Sequence, residues 1–218
     1  MDGVVRRRIA LSAMEDGGGP ALMTAHELRL RAASVRLVLT DVDGVLTDGG
    51  VYYSERGEAL KRFSLRDGMG VERLRDAGIE TAFITRENSP IVARRAEKLQ
   101  LRYVYLGVRD KRAALDQVLA ETQLGPQQLA YIGDDVNDQA VMAAVAMRGL
   151  TGAPADAEPP IRRAAHFRTT RPGGYGAFRE FAEWILRLRE EARAPYPHEA
   201  HHEAQSSSES DPEPQGGA

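Results

Sequence analysis

The 218-residue chain contains no cysteine. Disulfides, zinc–thiolate sites and thiol nucleophiles are therefore excluded, and any metal must be held by oxygen or imidazole. It also lacks an apolar run long enough to span a membrane. Arg6-Arg7-Arg8 followed by residues 9–14 imitates a secretory leader, but the apolar part is short and gives way to Glu15-Asp16-Gly17. A soluble cytoplasmic protein is expected, with Met14 and Met23 as alternative starts and residues 1–33 as a partly disordered extension.

Excess charge of one sign is missing as well: the formal net charge is -3. From Pro195 onward there are five acidic residues and no lysine or arginine, so the rest carries 29 basic against 27 acidic residues. That balance lacks the basic clustering of a nucleic-acid footprint. Neither nucleic acid nor membrane is expected as a partner. Residues 192–218 are rich in Pro, Ser, Gly and acid, a composition that cannot bury enough surface to fold. His198, His201 and His202 fall in that tail, where adventitious metal binding is the most they suggest.

What is present is an alternation. Apolar runs bounded by turn signals interleave with helical patterns across residues 34–191, which predicts βαβ units, a central parallel sheet and helices on both faces: an α/β, Rossmann-like three-layer domain. Strands are expected at 36–40, 81–85, 103–105, 129–132, 147–150 and, weakly, 165–167. Helices are expected at 69–77, 89–99, 111–122, 138–145 and 175–191. Residues 50–65 interrupt the pattern with two β-prone segments, Val51-Tyr52-Tyr53 and Leu60-Lys61-Arg62-Phe63, that suggest a hairpin too short to be a cap domain. Its apolar face would need a cover, and another copy of the chain is the obvious one.

The segment Leu37-Val38-Leu39-Thr40-Asp41-Val42-Asp43-Gly44 reads as a buried strand that delivers two carboxylates to its C-terminal edge, where open parallel sheets bind ligands. A turn or capping cluster would use the same residues. Three more polar sites end consecutive strands: Thr85, Lys111 after a short loop, and Gly133-Asp134-Asp135. Each has an ordinary alternative as a cap or solvated helix start. Only three of the 29 basic residues are lysine, however, which favours a specific need for Lys111. Together the set offers hard oxygen ligands for magnesium and donors plus a cation for phosphate oxygens.

These motifs, Asp41-x-Asp43, Thr85, Lys111 and Gly133-Asp134-Asp135, resemble those of the haloacid dehalogenase superfamily of phosphatases. Within it, Asp41 to Gly49, Phe63-Ser64-Leu65-Arg66-Asp67-Gly68 and Gly133-Asp134-Asp135-Val136-Asn137-Asp138 are similar to the 3-deoxy-D-manno-octulosonate 8-phosphate phosphatase group. That group includes relatives acting on nine-carbon 2-keto-3-deoxy sugar acid 9-phosphates. The similarity covers residues 35–188.

The resemblance implies a Mg2+-dependent phosphatase of lipopolysaccharide biosynthesis, acting on a sugar acid phosphate through an aspartyl-phosphate and assembled as a homotetramer. It implies Asp41 as nucleophile and Asp43 as general acid and then base. Thr85 and Lys111 would hold the phosphoryl group, and Asp41, the Asp43 carbonyl and Asp134 the metal, supported by Asp135 and Asp138.

Departures bear on specificity. Glu87 stands where the nine-carbon enzymes carry glutamate, although it also suits a helix start; Arg86 replaces a small glycine. Arg171-Pro172-Gly173-Gly174-Tyr175-Gly176-Ala177-Phe178-Arg179-Glu180 resembles the glycine-rich tail that, in this family, reaches a neighbouring subunit's active site, with Tyr175 where arginine is frequent. Arg66, Glu87, Arg171, Gly174 and Tyr175 are thus the candidate substrate-binding residues, with Arg66 and Arg171 for the sugar carboxylate. A second expectation, from resemblance to a domain fused to acylneuraminate cytidylyltransferases, is a non-catalytic regulatory or oligomerisation module.

Overall fold

A computed structural model describes residues 23–194. The tail from Pro195 with its histidines, and the N-terminal stretch containing Met14, lie outside the described residues. The first helix, α1 (Ala25–Ser34), starts at a capping box in which Thr24 and Glu27 satisfy one another's backbone. It packs on the last helix, α7 (Ala177–Arg193). The domain therefore begins about ten residues before the expected boundary at residue 34. The helix has little periodic signature because it is weakly amphipathic and fully buries only Ala32.

Five crossover units follow the expected order. The strands are β1 (Leu37–Thr40), β4 (Glu80–Ile84), β5 (Tyr103–Tyr105), β6 (Leu129–Ile132), β7 (Leu150–Ala153) and β8 (Phe167–Arg168). They pair in parallel in the order β5-β4-β1-β6-β7-β8. Between them come α2 (Leu65–Asp76), α3 (Pro90–Lys98), α4 (Lys111–Thr122), α5 (Gln139–Ala146) and α6 (Pro159–Ala164). The chain leaves β1 toward β4 and returns on its other side as β6, so β1 and β6 flank the crevice where such sheets bind ligands.

Alternate residues of the central strands enter different cores. Val38, Phe83 and Ile132 pack with α1, α2, α3 and α7, while Leu37, Leu39, Ile84 and Tyr131 pack with α4, α5 and α6. All four residues of β1 are buried, as a strand covered on both faces requires.

The strand expected at 147–150 lies instead at Leu150–Ala153. Helix α5 runs to Ala146, the Gly149 N–H turns back to the Val145 carbonyl, and Arg31 donates to the carbonyls of Ala146 and Gly149. Met147 is left in solvent. The short α6, opened by Pro159 and Pro160 at its first turn, is a helix the pattern did not suggest.

The interruption is a two-stranded antiparallel hairpin of β2 (Val51–Ser54) and β3 (Gly57–Lys61), bulged at Tyr52/Tyr53. Tyr52, Tyr53 and Leu60 project into solvent. Buried Asp67 on α2 accepts the backbone N–H groups of Gly176 and Arg179, fixing the start of α7.

Candidate active site

Four of the six strands of the main sheet contribute at one edge. Asp41 follows β1, Thr85 follows β4, Lys111 opens the helix after β5 and Asp134 follows β6. The Lys111 ammonium, almost wholly buried, lies 2.6 Å from a carboxylate oxygen of Asp41 and 2.6 Å from one of Asp138. Burial alone would depress the Lys111 pKa, but the two carboxylates outweigh it and hold the group above its usual range. Lys111 stays charged in the interior because its partners are charged too.

Acid still exceeds base. Burial, then the charge of Asp138, raises the Asp41 pKa to about 7 against the pull of Lys111. Burial, then Asp41 and Asp138, raises that of Asp134 to about 8. Carboxylate oxygens of Asp41, Asp134 and Asp138 lie within 4.8 Å of one another. Crowded acids with one ammonium between them call for a further cation.

The hydrogen bonds decide which acids are free to hold it. Asp138 is fully engaged: Oδ1 accepts from Lys111 Nζ and the Tyr131 hydroxyl, each at 2.6 Å, and Oδ2 from the Asp134 N–H at 2.9 Å. Asp134 Oδ1 is buried and, among the described residues, has no hydrogen-bond partner. An orphaned carboxylate oxygen beside Asp41 fits a hard divalent ion such as Mg2+, with Asp138 buttressing the cluster. Gly44 leaves room for this arrangement, since a Cβ there would meet Asp134 Oδ2 at 1.9 Å and its φ is +83°.

Asp43 sits at the edge of the same cavity, a space of about 260 Å3 also lined by Thr85, Arg86, Glu87, Asp134, Asp135 and Asn137. Thr47 Oγ1 donates to Asp43 Oδ1 at 3.2 Å. Lys61, from β3, reaches Asp43 Oδ2 at 2.6 Å. The Thr85 hydroxyl accepts the Glu87 N–H at 3.2 Å, leaving its hydrogen for a ligand oxygen. Asp135 caps the turn after β6 from the rim, accepting the Val136 N–H at 2.6 Å.

The substrate candidates divide. Glu87 lines the cavity, while Arg66 and Arg171 come together in a separate groove of about 660 Å3 with Leu65, Met69 and Arg179. The glycine-rich segment packs on its own chain: the Gly174 N–H donates to the Val45 carbonyl, and a Cβ on Gly173 would meet the Gly44 carbonyl oxygen at 1.8 Å. Within one chain, residues 173 and 174 thus lie against the Asp41 loop. Close approach of backbone to the Asp41 loop is what demands glycine there.

Tyr175 lies under the Arg62 guanidinium, 4.0 Å from its ring centre, and Arg62 also holds Asp48 at 2.9 Å and the Gly174 carbonyl at 2.9 Å. Gly174 and Tyr175 are thus tied through Arg62 to Asp48 of the loop. Sequence reading missed Lys61 as a site residue. The rarity of lysine, the signal that favoured Lys111, applied to it equally.

No protein-family model matches the chain. Among curated proteins, the 3-deoxy-D-manno-octulosonate 8-phosphate phosphatase KdsC of Yersinia pestis is 43% identical over 162 residues, 74% of this chain and 85% of that protein. The solved Moraxella catarrhalis 3-deoxy-D-manno-octulosonate 8-phosphate phosphatase, in complex with magnesium ion, phosphate ion and KDO, superimposes with a TM-score of 0.71 at 30% identity, covering 83% of this chain and 98% of that one. The cobalt-bound deoxy-D-mannose-octulosonate 8-phosphate phosphatase of Haemophilus influenzae gives 0.70 at 38% identity, covering 74% and 93%.

Proposed function

The chain belongs to the 3-deoxy-D-manno-octulosonate 8-phosphate phosphatase family of the haloacid dehalogenase superfamily, and on that premise we propose how its residues divide the work. It is a Mg2+-dependent phosphoric monoester hydrolase that releases phosphate from a 2-keto-3-deoxy sugar acid phosphate. The observation that carries the assignment of roles is buried Asp41, ion-paired to Lys111, with carboxylate oxygens of Asp134 and Asp138 within 4.8 Å.

An Asp41 carboxylate oxygen attacks phosphorus in line as the bond from phosphorus to the sugar oxygen breaks, giving an aspartyl-phosphate. Asp43 delivers its proton to the departing sugar oxygen. It then takes one from the water that attacks the acyl phosphate, and inorganic phosphate and free Asp41 result. Thr85 donates to a phosphoryl oxygen, while Lys111 offsets phosphoryl charge and orients Asp41. Magnesium held by Asp41, the Asp43 backbone carbonyl and Asp134 would supply charge neutralisation and polarise the phosphoryl oxygens.

Glu87 at the cavity mouth is the residue placed to choose between eight- and nine-carbon acids, because an anion there disfavours a nearby carboxylate on the substrate. The exposed face of Tyr52, Tyr53 and Leu60 supports assembly with further copies of the chain, as a homotetramer. Among the described residues no helix is long and apolar enough to cross a membrane. A cytoplasmic location is proposed from the substrate, a polyanion that membranes exclude. The alternative of a non-catalytic module is not favoured, since Asp41, Asp43, Thr85, Lys111 and Asp134 are all present at one edge of the sheet.

The test is a substrate panel of eight- and nine-carbon sugar acid phosphates against hexose phosphates, with and without Mg2+. Turnover confined to the sugar acids and dependent on the ion is expected; no turnover of any ester would overturn the proposal.

A further inference from the structure

We propose that Lys61 is the positioning residue of Asp43, and that Glu58 and Ser89 hold Lys61 ready for that task. The hairpin is then a working part of the acid/base machinery. This inference rests on the phosphatase reading and adds to it a residue from outside the strand-end motifs.

The Lys61 side chain is fully covered, with its ammonium 2.6 Å from Asp43 Oδ2 and 3.1 Å from Glu58 Oε1. The other Glu58 oxygen accepts the Ser89 hydroxyl. Ser89 in turn caps α3, which follows Thr85 by one short loop, and accepts the Val92 N–H at 3.4 Å. Hairpin, Asp43 loop and Thr85 loop are thus tied through one buried ammonium.

The arrangement suits a group that must move a proton. Thr47 grips one Asp43 oxygen and Lys61 the other, which limits the carboxyl to a narrow range of orientations. While Asp43 carries the proton it is neutral, and its hold on Lys61 is weaker. A buried ammonium left alone would be strongly disfavoured, but Glu58 keeps its hold on it. Asp43 can therefore lose and regain its charge without leaving the Lys61 ammonium uncompensated.

A purely structural bridge would affect all substrates alike, whereas a positioning role would not. The parameter kcat/KM reports only steps up to departure of the alcohol. An alkoxide leaving group needs the Asp43 proton and a nitrophenolate does not. The experiment compares kcat/KM for a sugar acid phosphate and for p-nitrophenyl phosphate in the wild type, Lys61→Met, Lys61→Arg and Glu58→Gln.

Lys61→Met is expected to lose roughly 10²-fold or more on the sugar ester, the usual worth of a placed general acid, with little change on the aryl ester. Lys61→Arg should recover part of it. Equal losses on both esters, or no loss, would overturn the proposal. Should Lys61→Met fail to fold, the same split must appear in the milder Lys61→Arg and Glu58→Gln, and its absence there is equally decisive. Failure of the wild type on every sugar ester would sink the phosphatase reading instead.

Discussion

The ammonium of Lys111 stands 2.6 Å from Asp41, and that distance links two residues seventy positions apart through a side chain that is only 1% exposed. Removing the charge leaves Asp41 and Asp138 buried together without compensation. Lys111→Met should therefore lower stability by about 3–5 kcal/mol and suppress turnover. Adding Asp138→Asn should restore part of the stability but little of the activity. Chemical denaturation of the two single variants and the double variant gives the coupling directly.

Metal affinity should depend on a residue that touches no metal. Gly44→Ala would press a Cβ onto Asp134 Oδ2 at a backbone φ of +83°, so Mg2+ affinity is expected to fall by roughly tenfold or more. In the wild type Mg2+ should raise the melting temperature by binding the native state, and Asp134→Asn should lose that response. Calorimetric titration with magnesium chloride measures the affinity, and thermal unfolding with and without the ion measures the response.

How much of this was legible in the sequence follows from what each residue's place depends on. Asp41, Thr85, Lys111 and Asp134 each end a strand or follow one closely, so alternation and turn signals located them together with the parallel sheet. Lys61 and Asp43 meet only because the hairpin folds back over the loop, a tertiary contact without a periodic signature. Arg66 and Arg171 stand within the family-like segments as candidates for the sugar carboxylate, and packing gathers them in a different groove. Helix α1 and the start of β7 were hidden for local reasons: few apolar residues in one, and a Val145–Gly149 turn displacing the other.

His166 gives a pH dependence of known sign. Its ring accepts the Thr151 N–H at 3.0 Å, and burial, with Arg31 adding to it, lowers its pKa from 6.5 to about 4. Between those values the unfolded chain binds a proton that the folded one refuses. The contribution is fully present above 6.5 and is lost as the pH falls toward 4, to the extent of roughly 3 kcal/mol. Asp41 and Asp134, with raised pKa values, act oppositely in the metal-free protein by gaining stability on acidification. Comparing urea unfolding of wild type and His166→Asn from about pH 7 to about pH 4 cancels them. The variant's deficit at neutral pH should shrink or reverse in acid.

The exposed hairpin face should govern assembly. Tyr53 is 74% and Leu60 64% exposed in the single chain, and a charge at either would face desolvation in an interface. Sedimentation velocity is expected to find a tetramer for the wild type and smaller species for Tyr53→Glu or Leu60→Glu. An unchanged sedimentation coefficient would place the interface elsewhere.

The most direct test of the assigned chemistry is Mg2+-dependent phosphate release from 3-deoxy-D-manno-octulosonate 8-phosphate and its nine-carbon analogue, measured for wild type and Asp41→Asn side by side. Turnover by the wild type and a loss of at least roughly a thousandfold in the nearly isosteric variant, with its circular dichroism spectrum unchanged, is the predicted result. Comparable turnover by a folded Asp41→Asn would contradict the account.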